Sequence, residues 1–133
     1  MRFMMFMYPQ ITEEEWTPSA EAVTEMGRYN QELRKAGMLL ALDGLRPPSD
    51  GASVVFEGRG ESRVLDGPFA EAKEVVGGYW IIQARSTEEA IEWPKRCPGE
   101  HCRVEVRPIF EMEDFPPDVR EAIEYDPDLH PGN

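Results

Sequence analysis

The segment Asp66-Gly67-Pro68-Phe69-Ala70-Glu71-Ala72-Lys73-Glu74 gathers residue types that chemistry needs. Asp66 opens a tight turn with a stiff Gly-Pro backbone, and a carboxylate on a rigid backbone is what a preorganised general acid or base requires. The same pattern has a conformational reading, because turn Asp residues often accept hydrogen bonds from the amides of their own turn. Phe69 walls a pocket or packs into a core or interface. Glu71, Lys73 and Glu74 alternate in sign, which makes either a solvated ion-pair face or a ligand contact. Asp66 is therefore the candidate catalytic residue, and Phe69, Glu71 and Lys73 are candidate ligand contacts.

Further along, Gly77-Gly78 enters an apolar run, Tyr79 to Ala84. No helix follows these glycines, so they suit a bulge or a close backbone approach better than a phosphate cradle. Tyr79 and Trp80 take opposite faces of a strand, and Tyr79 is the candidate to line a cleft. His101, the only His besides His130 in the tail, is able to act as acid or base near neutrality and is a further candidate ligand contact. It lies in a Pro-Gly turn between Cys97 and Cys102. Two thiols and one imidazole fall short of the four ligands a structural zinc takes, so no metal and no cofactor are expected. The cysteines read instead as two partly buried thiols in a reducing compartment. Arg103 and Arg107 share a strand face with Glu105, a pattern for a small carboxylate or, more simply, for ion pairs.

The elements that must position these residues follow from periodicity. Residues 2–8 are apolar at both alternating positions, the signature of a strand covered on both faces. Residues 18–36 form a helix: Thr17 caps it, Pro18 takes the first position, and Ala22, Met26, Tyr29, Leu33 and Ala36 make one stripe that ends at Gly37. A second two-sided strand spans 38–43. Strands 53–57 and 62–66 pair as a hairpin around Gly58-Arg59-Gly60. After the strand at 77–84, Ser86 and Glu89 spell a capping box for a second helix, which Pro94 stops. Residues 103–110 are the last strand, and a short helix is expected at 117–124 in the acidic tail.

The order β-α-β, hairpin, β-α-β predicts an α+β chain: a ferredoxin-like, split βαβ antiparallel sheet with an inserted hairpin and both helices on one face. The two-sided strands then leave an apolar face in water, which soluble chains avoid. A homodimer packed sheet to sheet is the expected cover, ahead of the tail folding back.

At 133 residues the chain is one domain-sized unit, divided into 1–112 and an acidic tail, 113–133. Its 26 acidic against 14 basic residues, a net charge of −12, leave no basic face for nucleic acid or for an anionic membrane. It has no apolar run of about 18 residues, and Met1 to Tyr8 is too short for a signal peptide, so a cytoplasmic protein is expected.

Several stretches resemble the DGPF type within the wider YCII-related group. They are the Met-rich opening strand, Asn30-Gln31-Glu32-Leu33 with Ala36-Gly37, Asp66 to Glu74, Gly77-Gly78-Tyr79, Cys97-Pro98, and Val104-Glu105-Val106-Arg107-Pro108-Ile109. The resemblance covers roughly the first 110 residues. It implies a dimeric α+β barrel with clefts between subunits, and a functional link to extracytoplasmic-function sigma factors. In the YciI-like branch, a His on the first helix and an Asp near the end of the second are proposed as an acid–base pair. Here the first helix holds no His, with Met26 near that position, and Cys97 stands where the Asp is expected. Three functions are compatible with these residues: a homodimeric ligand-binding and regulatory protein, a cofactor-free enzyme on a small organic molecule with Asp66 as general acid or base, and an interaction module using the acidic tail.

Overall fold

The computed structural model describes residues 1–67 and 74–125, an α+β arrangement with antiparallel sheets and three helices. Strands β1 (Arg2–Tyr8), β2 (Leu39–Gly44), β5 (Gly78–Gln83) and β6 (Arg103–Pro108) form one sheet in the order β2-β5-β1-β6. β5 therefore separates β1 from β2, and β1 separates β5 from β6, so the two β-α-β units are split by each other's strands. β3 (Ala52–Gly58) and β4 (Glu61–Asp66) form a separate hairpin.

Helix α1 (Ala20–Lys35) begins two residues later than the sequence suggested. Ser19, not Thr17, is the cap: its hydroxyl accepts from the Ala22 amide at 3.1 Å, leaving Pro18 before the helix. The far end is as expected, with Gly37 at φ 72°, a left-handed conformation that costs glycine little. In α2 (Thr87–Glu92) only half of the expected capping box forms. Ser86 Oγ accepts from the Glu89 amide at 3.2 Å, while the Glu89 carboxylate turns to Arg85 at 3.9 Å. Pro94 ends this helix in a single 3-10 turn, Pro94–Arg96. The short tail helix α3 (Pro117–Tyr125) is held to the preceding turn by Arg120, whose guanidinium donates to the carbonyls of Met112 and Phe115.

Strand register fixes the two faces. Phe3, Met5, Trp80 and Ile82 share one face with Val104 and Val106, and they pack with Tyr29 and Leu33 of α1 and Ala90 and Trp93 of α2 into one core. Phe3, Met5, Leu33 and Ile82 are fully buried, each contributing about 1.5–3 kcal/mol by leaving water. The buried polar ends are satisfied. Tyr29 Oη donates to the Trp93 carbonyl at 2.7 Å, Trp80 Nε1 to Asn30 Oδ1 at 2.8 Å, and Trp93 Nε1 to the Met38 sulfur.

Among the described residues, the opposite face carries no helix packing of this kind. One row across it reads Asp43, Tyr79, Phe6, Glu105; the next reads Ala41, Ile81, Met4, Arg107. Met4, Phe6, Tyr79 and Ile81 are only half-buried. The expected two-sided apolar character thus holds for β1. In β2 the register shifts between Leu39 and Ala41, and Leu40 is left exposed.

Candidate functional site

A cleft of about 870 Å³ lies beyond the ends of β1 and β2 rather than on the open sheet face. Three connections wall it: the segment from Pro9 to Pro18, the turn from Leu45 to Asp50, and the turn from Gly99 to Cys102. Its position follows from the chain path. Met7 ends the core side of β1, and the backbone then turns at Gln10, a non-glycine residue at φ 58°. Such left-handed residues are costly and persist where surrounding structure holds them. A short turn, Glu13–Glu15, then presents Trp16.

Trp16 is pinned. Its indole Nε1 donates to the Leu45 carbonyl at 2.9 Å, while the Leu45 amide donates to the Gly77 carbonyl at 2.9 Å and the Gly77 amide to the Met7 carbonyl at 2.7 Å. These three bonds tie the first connection, the second and the start of β5 into one frame. The glycine is required: a Cβ at Gly77 would stand 2.9 Å from the Pro9 ring and 3.6 Å from Trp16. The Gly77-Gly78 pair therefore serves close backbone approach, and the sheet's irregularity lies at Leu40 instead.

The cleft wall is mostly carbon, including Met7, Ile11, Trp16 and Leu45, with charged groups around it. The Glu13 carboxylate accepts from the Ser49 amide at 2.8 Å, joining the first two connections, and Arg46 pairs with Asp50 at 3.0 Å. A second groove of about 610 Å³ shares Pro18, Ala22, Gly99 and Glu100 with the first and runs along α1 past Met26 and Asn30. Met26 thus lines this groove with its thioether, together with Glu25 and Glu100.

The residues singled out from sequence are dispersed. His101 is exposed and lines the cleft. Tyr79 lies on the open sheet face, where its hydroxyl donates to Asp43 Oδ2 at 3.0 Å. That bond, and secondly the Asp43 charge, push the Tyr79 phenol up. Asp66 is the exposed last residue of β4, opposite Ala52, and is not among the residues that line the cleft. Phe69, Glu71 and Lys73 lie outside the described residues. Arg103 does share a face with Glu105, at 3.6 Å, and its guanidinium covers the Tyr8 ring at 3.9 Å.

Cys97 and Cys102 are both free and half-buried, as the sequence suggested. Burial, and secondly the neighbouring Cys102, push the Cys97 thiol up to about 12. Among the described residues no three His, Cys, Asp or Glu side chains gather as a metal site, and no helix is long and apolar enough to cross a membrane.

Sequence reasoning missed Trp16, Glu13 and Leu45. The signal was present in an unassigned stretch, Ile11-Thr12-Glu13-Glu14-Glu15-Trp16, where a Trp outside any strand or helix follows three carboxylates.

A sequence profile of the YCII-related domain matches residues 1–113, which takes in the whole four-stranded sheet, the cleft and both core helices. The chain belongs to the YCII-related family. A curated relative from Rhizobium meliloti (strain 1021), described as an uncharacterised protein, is 38% identical over 48 residues. That match takes in 36% of this chain and spans 39% of the relative's length. Membership in the YCII-related family thus accounts for the sheet and its two core helices.

Proposed function

We propose that this YCII-related chain is a homodimeric small-molecule-binding protein of the DGPF type. Its ferredoxin-like sheet packs open face to open face with a second copy as a dimeric α+β barrel, and each chain holds an organic ligand in the cleft beside Trp16 and His101. The observation that carries the binding reading is the cleft itself: a mostly apolar wall with a few fixed polar groups, on a frame of hydrogen bonds that joins two of its connections to the start of β5. Ligand sites have this composition. Support for the dimer comes from the half-buried Met4, Phe6, Tyr79 and Ile81, flanked on the same face by Asp43 and Glu105 at one level and Arg107 at the next. Such a face needs an apolar cover, and its mixed charges suit an isologous contact in which each copy supplies both signs.

Trp16 provides the test. Trp80 and Trp93 are buried, so Trp16 is the indole that a molecule in the cleft touches. Titration with phenethyl alcohol, a neutral aromatic probe, is expected to give a saturable change in tryptophan emission that Trp16→Phe abolishes. A flat titration with this alcohol and with the charged aromatics named below overturns the reading.

A further inference from the structure

We propose that the cleft selects organic cations, specifically amines carrying an aromatic or other apolar body; the inference rests on the reading of this cleft as the ligand site. The apolar wall around Trp16 supplies the surface for the body. The class of the head group follows from which charges remain uncompensated. Four carboxylates border the cleft, those of Glu13, Glu15, Asp50 and Glu100, against one guanidinium, that of Arg46.

Arg46 is the one guanidinium, and its Nε bonds Asp50 at 3.0 Å, so that pair offsets and the carboxylates of Glu13, Glu15 and Glu100 are left in excess. Glu13 and Glu15 are held by neutral donors: the Ser49 amide bonds Glu13 at 2.8 Å, and the Thr12 hydroxyl bonds Glu15 at 2.9 Å. A neutral donor orients a carboxylate and leaves its charge in place. The remaining basic side chain of the wall, His101, adjoins Glu100 in the chain. The field across the cleft is therefore negative, in a chain whose net charge of −12 reinforces it.

An ammonium entering this field gains charge-assisted hydrogen bonds to carboxylates that are already positioned. The indole of Trp16 adds a face on which a cation is favourable. A carboxylate or phosphate of the same size meets repulsion, and the one guanidinium it finds is already paired with Asp50. Selectivity here comes as much from rejecting anions as from attracting cations.

Phenethylamine, phenethyl alcohol and hydrocinnamate share one body and differ in their heads. Binding is read by Trp16 emission and, independently, by calorimetry. The amine is expected to bind at least about tenfold more tightly than the carboxylate, a difference of about 1.4 kcal/mol. The ratio should shrink as salt is added. Glu13→Gln with Glu100→Gln should lower amine affinity by a larger factor than alcohol affinity. Equal binding of amine and carboxylate, or an amine affinity untouched by the double substitution, overturns the proposal. If the alcohol binds without any gain for the amine, the cleft remains a ligand site and the cationic class fails. If none of the three disturbs Trp16, both readings fall.

Discussion

The hydroxyl of Tyr79 donates to the carboxylate of Asp43 at 3.0 Å, between two residues directly opposed on β5 and β2 and on the sheet face away from the core. Ionising Tyr79 would break that bond and set a phenolate beside a carboxylate, so the folded chain holds this proton more tightly than the unfolded chain does. The sign follows from linkage: the contribution is complete below the ordinary phenol range and is lost as pH rises through the higher folded value. Asp43→Asn should bring the Tyr79 titration back down, read by tyrosinate absorbance and assigned by difference with Tyr79→Phe. An unchanged titration in Asp43→Asn would show that the bond does not persist in solution.

Tyr29 performs a different task, joining the two core helices. Its hydroxyl reaches from α1 to the Trp93 carbonyl at the end of α2, and its ring meets Trp80 edge-on at 5.9 Å. Tyr29→Phe keeps the ring and removes one of the two hydrogen bonds that the Trp93 carbonyl accepts, the other coming from the Arg96 amide at 3.0 Å, so the cost is that of one net hydrogen bond, about 0.5–1.5 kcal/mol. A lower urea midpoint with an unchanged slope is the expected result. A midpoint within error of the parent would mean that water replaces the phenol.

Such ties explain what could be read from the chain alone. The middle of the α1 stripe (Met26, Tyr29 and Leu33), the two faces of β1, the opposed Tyr79 and Trp80, and the Arg103–Glu105–Arg107 face follow from local period and are found as read, while Ala22 and Ala36 at the ends of that stripe are exposed. The capping errors are of another kind. Thr17 and Ser19 are both good caps, and choosing between them depends on where Pro9 to Pro18 must run to meet Leu45. The cleft itself has no period. Trp16, Leu45 and Gly77 meet only because β2 and β5 are neighbours in the sheet; two of the three hydrogen bonds join backbone positions whose side chains give no hint of it, and the third runs from the Trp16 indole to a backbone carbonyl. His101 could be suspected as a contact, but its partners across the cleft could not.

The open face leads to a prediction of assembly. Ile81 stands in the row Ala41, Ile81, Met4, Arg107, at the apolar centre of that surface. If two copies meet there, Ile81→Glu buries an unpaired carboxylate at the contact, and such a charge costs several kcal/mol. Light scattering should give a dimer mass for the parent and a monomer mass for the variant, with unchanged helical circular dichroism. A parent that runs as a monomer would refute sheet-to-sheet pairing.

Cys97 and Cys102 should differ in reactivity even though four residues separate them. The attacking species is the thiolate, and burial keeps Cys97 protonated up to about 12. Its contribution to stability is complete below the ordinary thiol range and is lost as pH climbs toward that value. Timed alkylation at mildly alkaline pH, read by peptide mass, should leave Cys97 largely unmodified in the folded chain and label it fully in denaturant. Rapid labelling of Cys97 in the folded state would show that the turn from Pro98 to Cys102 opens readily.

Two glycines allow the same substitution to be tested with opposite signs. Gly27 lies inside α1, with nothing within 4 Å of the place its Cβ would occupy. Gly27→Ala therefore only removes backbone entropy from the unfolded chain and adds helix propensity, so it should stabilise by about 0.8–1 kcal/mol. At Gly77 the added carbon falls 2.9 Å from two ring atoms of Pro9, which cannot swing aside as a flexible chain end can. Pro9 is further confined because Gln10 beside it is already in the left-handed region. Overpacking of this kind costs about 1–3 kcal/mol. The strain should also reach the cleft, since the Gly77 carbonyl holds the Leu45 amide and the Leu45 carbonyl holds Trp16. Thermal melts should move up for Gly27→Ala and down for Gly77→Ala, and only the second variant should shift the Trp16 emission. Equal melts for the two variants would mean that the contact between Gly77 and Pro9 is looser than the structure places it, and that Trp16 is held by something other than this frame.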